Sequence, residues 1–181
     1  FETVARFRCP EPGRDDTRFR RLLPVGDRLL VFGYVVDYVN GGQPSARNAV
    51  YDAGELRELE GVLADEHVTR TWSLGAERGL AVARRGDGDR SYLVGPDGAR
   101  ELETWRGLRI VDLVAEESAS AHLVLVADDD GGEVLRLAGE GTALRSVLRV
   151  EGIQPTAMAV FDGALFVGTQ DGQLYRALAA R

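Results

Sequence analysis

The sequence predicts an all-β fold made of serial four-stranded antiparallel units, and three observations predict it. Short β-prone segments of roughly 5 to 8 residues alternate with turn residues along the chain. Asp-Gly pairs recur between them, and Asp-Gly marks tight hairpins because such turns need positive φ, which glycine adopts without steric cost. The block repeats, with openings near Arg18, His67, Leu108 and Gly152, roughly 40 to 50 residues apart.

The first unit begins near Phe19, turns at Gly26-Asp27 and continues as Arg28–Val36. A longer polar loop, Asn40–Ser45, leads to Arg47–Tyr51. A turn at Asp52–Gly54 then leads to Glu55–Val62. The same stretch read as a helix, Glu55–Asp65, would place Leu56, Leu59, Val62 and Leu63 on one face; the parallel segments of the other units favour a strand. The second unit runs His67–Leu74, Gly79–Arg84, a turn at Gly86–Asp89, Ser91–Val94, a turn at Pro96–Gly98 and Ala99–Trp105. In the third, Gly107–Leu113, His122–Ala127, Glu133–Leu137 and Ala143–Val150 are strands, with turns at Asp128–Gly132 and Gly139–Gly141. The fourth reads Met158–Phe161, Asp162-Gly163, Leu165–Val167, Asp171-Gly172, Leu174–Ala177, and stops one strand short.

Within each unit the second segment is the most apolar (LLVF, GLAVA, HLVLVA, ALFVG), as a strand buried on both faces should be. The fourth alternates charged and apolar residues (LRELEGV, ARELETW, ALRSVLRV), as a solvated outer strand should; its charges also discourage edge-to-edge aggregation. Phe1–Arg8 (FETVARFR) alternates in the same way and has the length of the strand that the last unit lacks. The expected organisation is one domain over 1–181, with units at about 18–66, 67–106, 107–151 and 152–181 plus the strand 1–8.

Thr156–Ala177 (TAMAVFDGALFVGTQDGQLYRA) resembles a blade of the β-propeller superfamily, of the sensor or sortilin type, and the other units match it by pattern. The resemblance implies four-stranded blades around an axis. No Trp-Asp pair ends a unit and no Gly-His pair opens one, so a conventional WD-repeat protein is not supported, although the layout is WD40-like. A closed four-bladed ring and part of a larger propeller both remain open. The superfamily hosts binding modules and enzymes alike, so the fold leaves function undecided.

The formal charge of −7 argues against non-specific binding to phosphate backbones. All 22 basic residues are arginine, which reads as a high-GC coding bias of bacterial type. The single cysteine, Cys9, rules out an internal disulfide and a four-cysteine zinc site. No apolar stretch reaches the roughly 18 residues of a spanning helix, and no secretory signal opens the chain. The expected setting is cytoplasmic, without membrane or nucleic-acid partners.

Catalytic and ligand motifs are missing. His67 and His122 lie in different units, Cys9 has no base nearby in sequence, and Asp128-Asp129-Asp130 lacks the alternate ligand spacing of a calcium loop. No catalytic residue, metal ligand or cofactor is assigned. The binding candidates are Tyr38 and Asn40, in the longest loop, and Trp72 and Trp105, whose exposure would mark a docking surface and whose burial would mark packing between sheets. These observations favour a non-catalytic binding or sensing module for a protein partner or other segments of a larger polypeptide. A propeller-type glycosidase or lactonase is the first alternative, with Asp112 as its candidate carboxylate. A carbohydrate-binding lectin is the second, weakened by the divergence between units.

Overall fold

The computed structural model describes residues 15–38, 41–86, 88–116, 121–138 and 142–178, the side chains of Asp15, Asp16 and Leu178 excepted. The expected strand Phe1–Arg8, together with Cys9, Asn40 and the turn Gly139–Gly141, lies outside them. Among the described residues fifteen strands, β1 to β15, form antiparallel sheets in which each strand is bonded to its neighbour in sequence. The fold class is all-β, a series of antiparallel meander sheets.

The chain falls into two compact units, Phe1–Arg106 and Gly107–Arg181, divided where the third repeat begins. Unit 1 holds two sheets. The first is β1 (Asp15–Val25), β2 (Arg28–Asp37), β3 (Pro44–Asp52) and β4 (Glu55–Glu58). The second is β5 (Val68–Ser73), β6 (Gly79–Arg85), β7 (Gly88–Gly95) and β8 (Gly98–Glu101). Unit 2 holds β9 (Arg109–Ala115), β10 (Ala121–Ala127), β11 (Gly131–Ala138) and β12 (Leu144–Glu151), then a sheet of β13 (Pro155–Phe161), β14 (Ala164–Thr169) and β15 (Leu174–Leu178).

Burial follows the predicted layering. Residues 79–83 of β6 are all buried, as are Leu123–Ala127 of β10. The outer strands β4, β8 and β12 are largely exposed. In unit 1 the core joins both sheets through Leu23, Val25, Phe32, Leu63, Tyr92 and Val94. In unit 2 it joins them through Leu123, Leu125, Val134, Met158, Leu165 and Val167.

Two outer strands end earlier than the sequence predicts. β4 stops at Glu58 rather than Val62, and β8 stops at Glu101 before a 3-10 turn, Glu103–Trp105. The reason is the spacing of their apolar residues. Leu102 and Trp105 are both buried, and a three-residue separation brings them to one side only in a 3-10 turn; a strand would send them to opposite faces. Likewise Leu59 and Leu63 both turn into the core, through a turn that Gly61 permits with φ 86°.

One backbone feature repeats without any sequence signature. Every first strand carries a bulge, which leaves Arg20, Thr69, Val111 and Thr156 unmatched in the ladder. Each lies about four residues along the second strand from the connecting turn. The extra residue sharpens the local twist.

Candidate functional site

The last sheet presents the surface that most needs explaining. Its first hairpin follows from Asp162-Gly163, whose φ values of 49° and 67° are those of a type I′ turn. Register then sorts the side chains. Met158, Val167 and Tyr175 share one row, and Val160, Leu165 and Ala177 the next, on the core face. Ala157, Gly168 and Leu174 form a row on the opposite face, with Ala159, Phe166 and Arg176 beside it and Phe161 at the hairpin end. This outer face is apolar yet open: Phe161 is 71% exposed and Leu174 70%. Its one cation, Arg176, stands over the Phe166 ring at 5.8 Å, a cation–π distance.

A cleft of about 520 Å³ opens at the start of β15, lined by Ile153, Gln154, Gln170, Asp171, Gln173 and Tyr175. Its polar groups are held in chains. The Tyr175 hydroxyl donates to Gln173 Oε1 at 2.7 Å, and Gln173 Nε2 donates to Asp171 Oδ2 at 2.9 Å. The Thr169 hydroxyl donates to the other Asp171 oxygen, and that bond leads the causes holding the carboxyl below its usual range. Gln154 accepts from Arg109 at 2.8 Å and donates to the carbonyl of Asp128 at 2.9 Å. The lining offers amides, one carboxylate and a phenol, which suits polar neutral groups and disfavours anions.

Unit 1 carries the most perturbed titratable pair. Glu66 is 3% exposed. Its carboxylate accepts from the Arg85 guanidinium, in one bond at 3.1 Å, and from the Tyr92 hydroxyl at 2.9 Å. Burial pushes the Glu66 carboxyl up, but the bonds from Arg85 and Tyr92 and the charges of Arg85 and Arg90 outweigh it and hold the group below 4.5. Burial, with the Glu66 carboxylate beside it, pushes the Tyr92 phenol up to about 12. Both groups therefore keep one protonation state around neutrality, which makes the cluster a structural lock rather than an acid–base pair.

The sequence candidates separate. Tyr38 is 62% exposed, at the start of a loop closed by the Gly42 amide donating to the Asp37 carbonyl at 2.8 Å. Trp72 is half-buried on β5. Trp105 is 1% exposed, so its ring presents no open face for docking. Asp112 is held by backbone: Oδ1 accepts the Leu113 amide at 2.8 Å and Oδ2 the Met158 amide at 2.9 Å, tying β9 to β13. His67 is exposed, with its ring 6.3 Å from that of Tyr34, and His122 is half-buried on β10. Asp128–Asp130 form an exposed hairpin turn. No group of three or more potential metal ligands occurs among the described residues, and no helix there is long and apolar enough to cross a membrane. The sequence reading missed the outer face of the last sheet. Its signal was there in the hairpin register: Ala157, Ala159 and Phe161 alternate along one strand, and Phe166 stands opposite Ala159 across Asp162-Gly163.

No family model matches the sequence, and no curated protein matches it. Among solved structures the chain is similar to the N-terminal domain of Nup159, at 12% identity and a TM-score of 0.38 over 87% of this chain. It is also similar to a structure of S. cerevisiae Dbp5 bound to Nup159, Gle1, IP6 and ADP, at 11% identity and a TM-score of 0.38 over 87% of this chain. The chain spans 64% of the length of each matched chain.

Proposed function

We propose that the chain is a non-catalytic interaction module that binds a protein partner through its last sheet, β13–β15. The observation that carries this reading is the apolar outer face, where Phe161 and Leu174 stand about seven-tenths exposed on a rigid hairpin scaffold. Contiguous exposed apolar surface rimmed by polar groups marks a contact site more often than chance exposure of single residues. Here the rim is Asp162 on one side and the glutamine-lined cleft on the other. The occupancy of both Asp112 oxygens by backbone amides supports a binding module over the hydrolase alternative. In unit 1, Tyr38 is proposed as a second contact, on a loop whose closing hydrogen bond fixes its base.

The test is affinity capture with the intact chain and with a Phe161→Ser, Leu174→Ser double variant. Both positions are exposed, so the variant should unfold within about 0.5 kcal/mol of the parent. A specific partner retained by the parent and reduced at least about tenfold with the variant is the expected result. Identical recovery by both proteins, or no specific partner at all, overturns the reading.

A further inference from the structure

At one end of the last sheet two connections build the cleft, residues 152–154 before β13 and residues 170–173 between β14 and β15. Backbone bonds hold them in place. The Gln170 amide donates to the Gln154 carbonyl at 3.0 Å, and the Gly152 amide donates to the Asp130 carbonyl at 2.8 Å. Gln154 anchors the same wall through its side chain. Its Oε1 accepts from Arg109 at 2.8 Å, and its Nε2 donates to the carbonyls of Asp128 at 2.9 Å and Asp129 at 3.3 Å. Both its N–H groups are engaged, so this carboxamide shapes the wall.

The other polar groups are oriented but not used up. Gln173 gives a single Nε2 hydrogen to Asp171 Oδ2 at 2.9 Å and accepts the Tyr175 hydroxyl on Oε1 at 2.7 Å, which leaves a further N–H and a further lone pair. The Tyr175 oxygen, its proton donated, is open as an acceptor. The Asp171 carboxylate is exposed. The Gln170 carboxamide is exposed too, bonds to no described residue, and offers donors and an acceptor together. The Tyr175 ring, 38% exposed, adds an apolar face. Among the described residues no cationic side chain lines the cleft.

This mixture selects the ligand. An anion would face the Asp171 carboxylate. A cation would use the acceptors alone and meet the Gln173 N–H. A peptide unit brings a single donor and a single acceptor, whereas each hydroxyl is both, so a polyol packs several matched groups into the same space. We infer that the cleft binds a neutral hexose unit. Adjacent hydroxyls donate to Asp171 and Gln173 Oε1 and accept from the amides of Gln170 and Gln173, and the C–H face of the sugar lies on the Tyr175 ring. The volume of about 520 Å³ falls within the roughly 300–1,000 Å³ of small-molecule sites. The site stands on turns and not on the apolar outer face, so it goes beyond the protein contact proposed above. A single site needs no likeness between units, which removes the objection that their divergence raises.

The probe is a panel of methyl glycosides of neutral hexoses (gluco, galacto and manno), titrated to about 50 mM into the full chain and followed by two-dimensional amide NMR. At least one should bind saturably, with a Kd of about 1 to 10 mM. It should move the Gln170 and Gln173 side-chain amides and the backbone amides of 152–154, and leave those of β5–β8 unmoved. Gln170→Ala removes an exposed side chain with no bond to lose, so it keeps the fold; it should weaken binding at least about fivefold. Asp171→Asn should weaken it at least about tenfold. N-acetylglycine N-methylamide, a blocked peptide unit, should move none of these resonances. A matching disaccharide bound at least about threefold more tightly supports a glycan chain as the source, and equal affinity supports a free sugar. No cleft shift with any glycoside, undiminished binding in either variant, or equal shifts with the blocked peptide unit overturns the inference.

Discussion

Replacing Asn48 by alanine should unfold unit 1 far more readily than any surface change. Asn48 is 4% exposed and joins β3 to the turn that precedes β5. Its Nδ2 donates to the Leu63 carbonyl at 2.6 Å and to the Glu66 carbonyl at 2.9 Å, and its Oδ1 accepts the Gly33 amide at 3.2 Å. Three hydrogen bonds at about 1 kcal/mol each, with the deserted backbone groups left facing apolar side chains, give a loss of about 3 to 4 kcal/mol. Asn48→Asp is the informative control. It keeps the acceptor for Gly33 but sets a carboxylate against two carbonyl oxygens, so it should cost more than alanine at pH 7 and recover on acidification. The assay is urea unfolding followed by tryptophan emission. Both tryptophans, Trp72 and Trp105, belong to unit 1, and Trp105 is 1% exposed. At a slope of about 1.5 kcal/mol per molar, the midpoint should fall by about 2 M. A fall below about 0.5 M would show that the carboxamide does not hold the turn, and would refute the assignment of Asn48 as the clamp.

Other consequences follow from the same contacts. Gly33→Ala should cost about 3 kcal/mol, because a Cβ there would stand 2.2 Å from the Arg18 carbonyl oxygen; a thermal melt within error of the parent would contradict it. Ala53 sits at φ 50° in the β3–β4 turn, so Ala53→Asn should stabilise unit 1 by about 0.5 to 1 kcal/mol in the same urea assay. Asp112→Asn should destabilise unit 2 by about 2 kcal/mol, since it aims an N–H at a backbone N–H; unchanged protection of the Met158 amide would refute that role. The Glu66 lock has a signed pH dependence. A carboxyl held below 4.5 gives stability that is present above that value and lost as pH falls through the folded-state value. The Tyr92 phenol, raised to about 12, acts at the other end: the unfolded chain ionises first, so stability falls between pH 10 and 12. Tyr92→Phe should flatten the alkaline arm of the stability profile.

The strand order and the two-faced burial of the second strands were legible in the sequence because both rest on local signals. Asp162-Gly163 fixes a hairpin by backbone sterics alone, and a run such as HLVLVA has no hydrophilic face to turn outward. The ends of the outer strands were not legible, because Leu102 and Trp105 choose a 3-10 turn only when the core is there to receive both. Asp171-Gly172 misled in a small way: the turn spans 170–173, since Thr169 caps it through its hydroxyl before Gly172 takes φ 81°. The four first-strand bulges had no signature, since Arg20, Thr69, Val111 and Thr156 share no chemistry. Among the site residues, Tyr38 reads as exposed from its loop, whereas Trp105 depends on tertiary contacts that composition does not reveal. The Glu66–Arg85–Tyr92 lock joins residues 19 and 26 positions apart, and only the packing of the linker under the second sheet brings them together.

Amide hydrogen exchange along β13–β15 tests the central claim most directly. On addition of the partner recovered by affinity capture, the amides of β13–β15 should exchange at least about tenfold more slowly while those of β5–β8 keep their rates. Unchanged exchange across β13–β15 in the presence of that partner would contradict it.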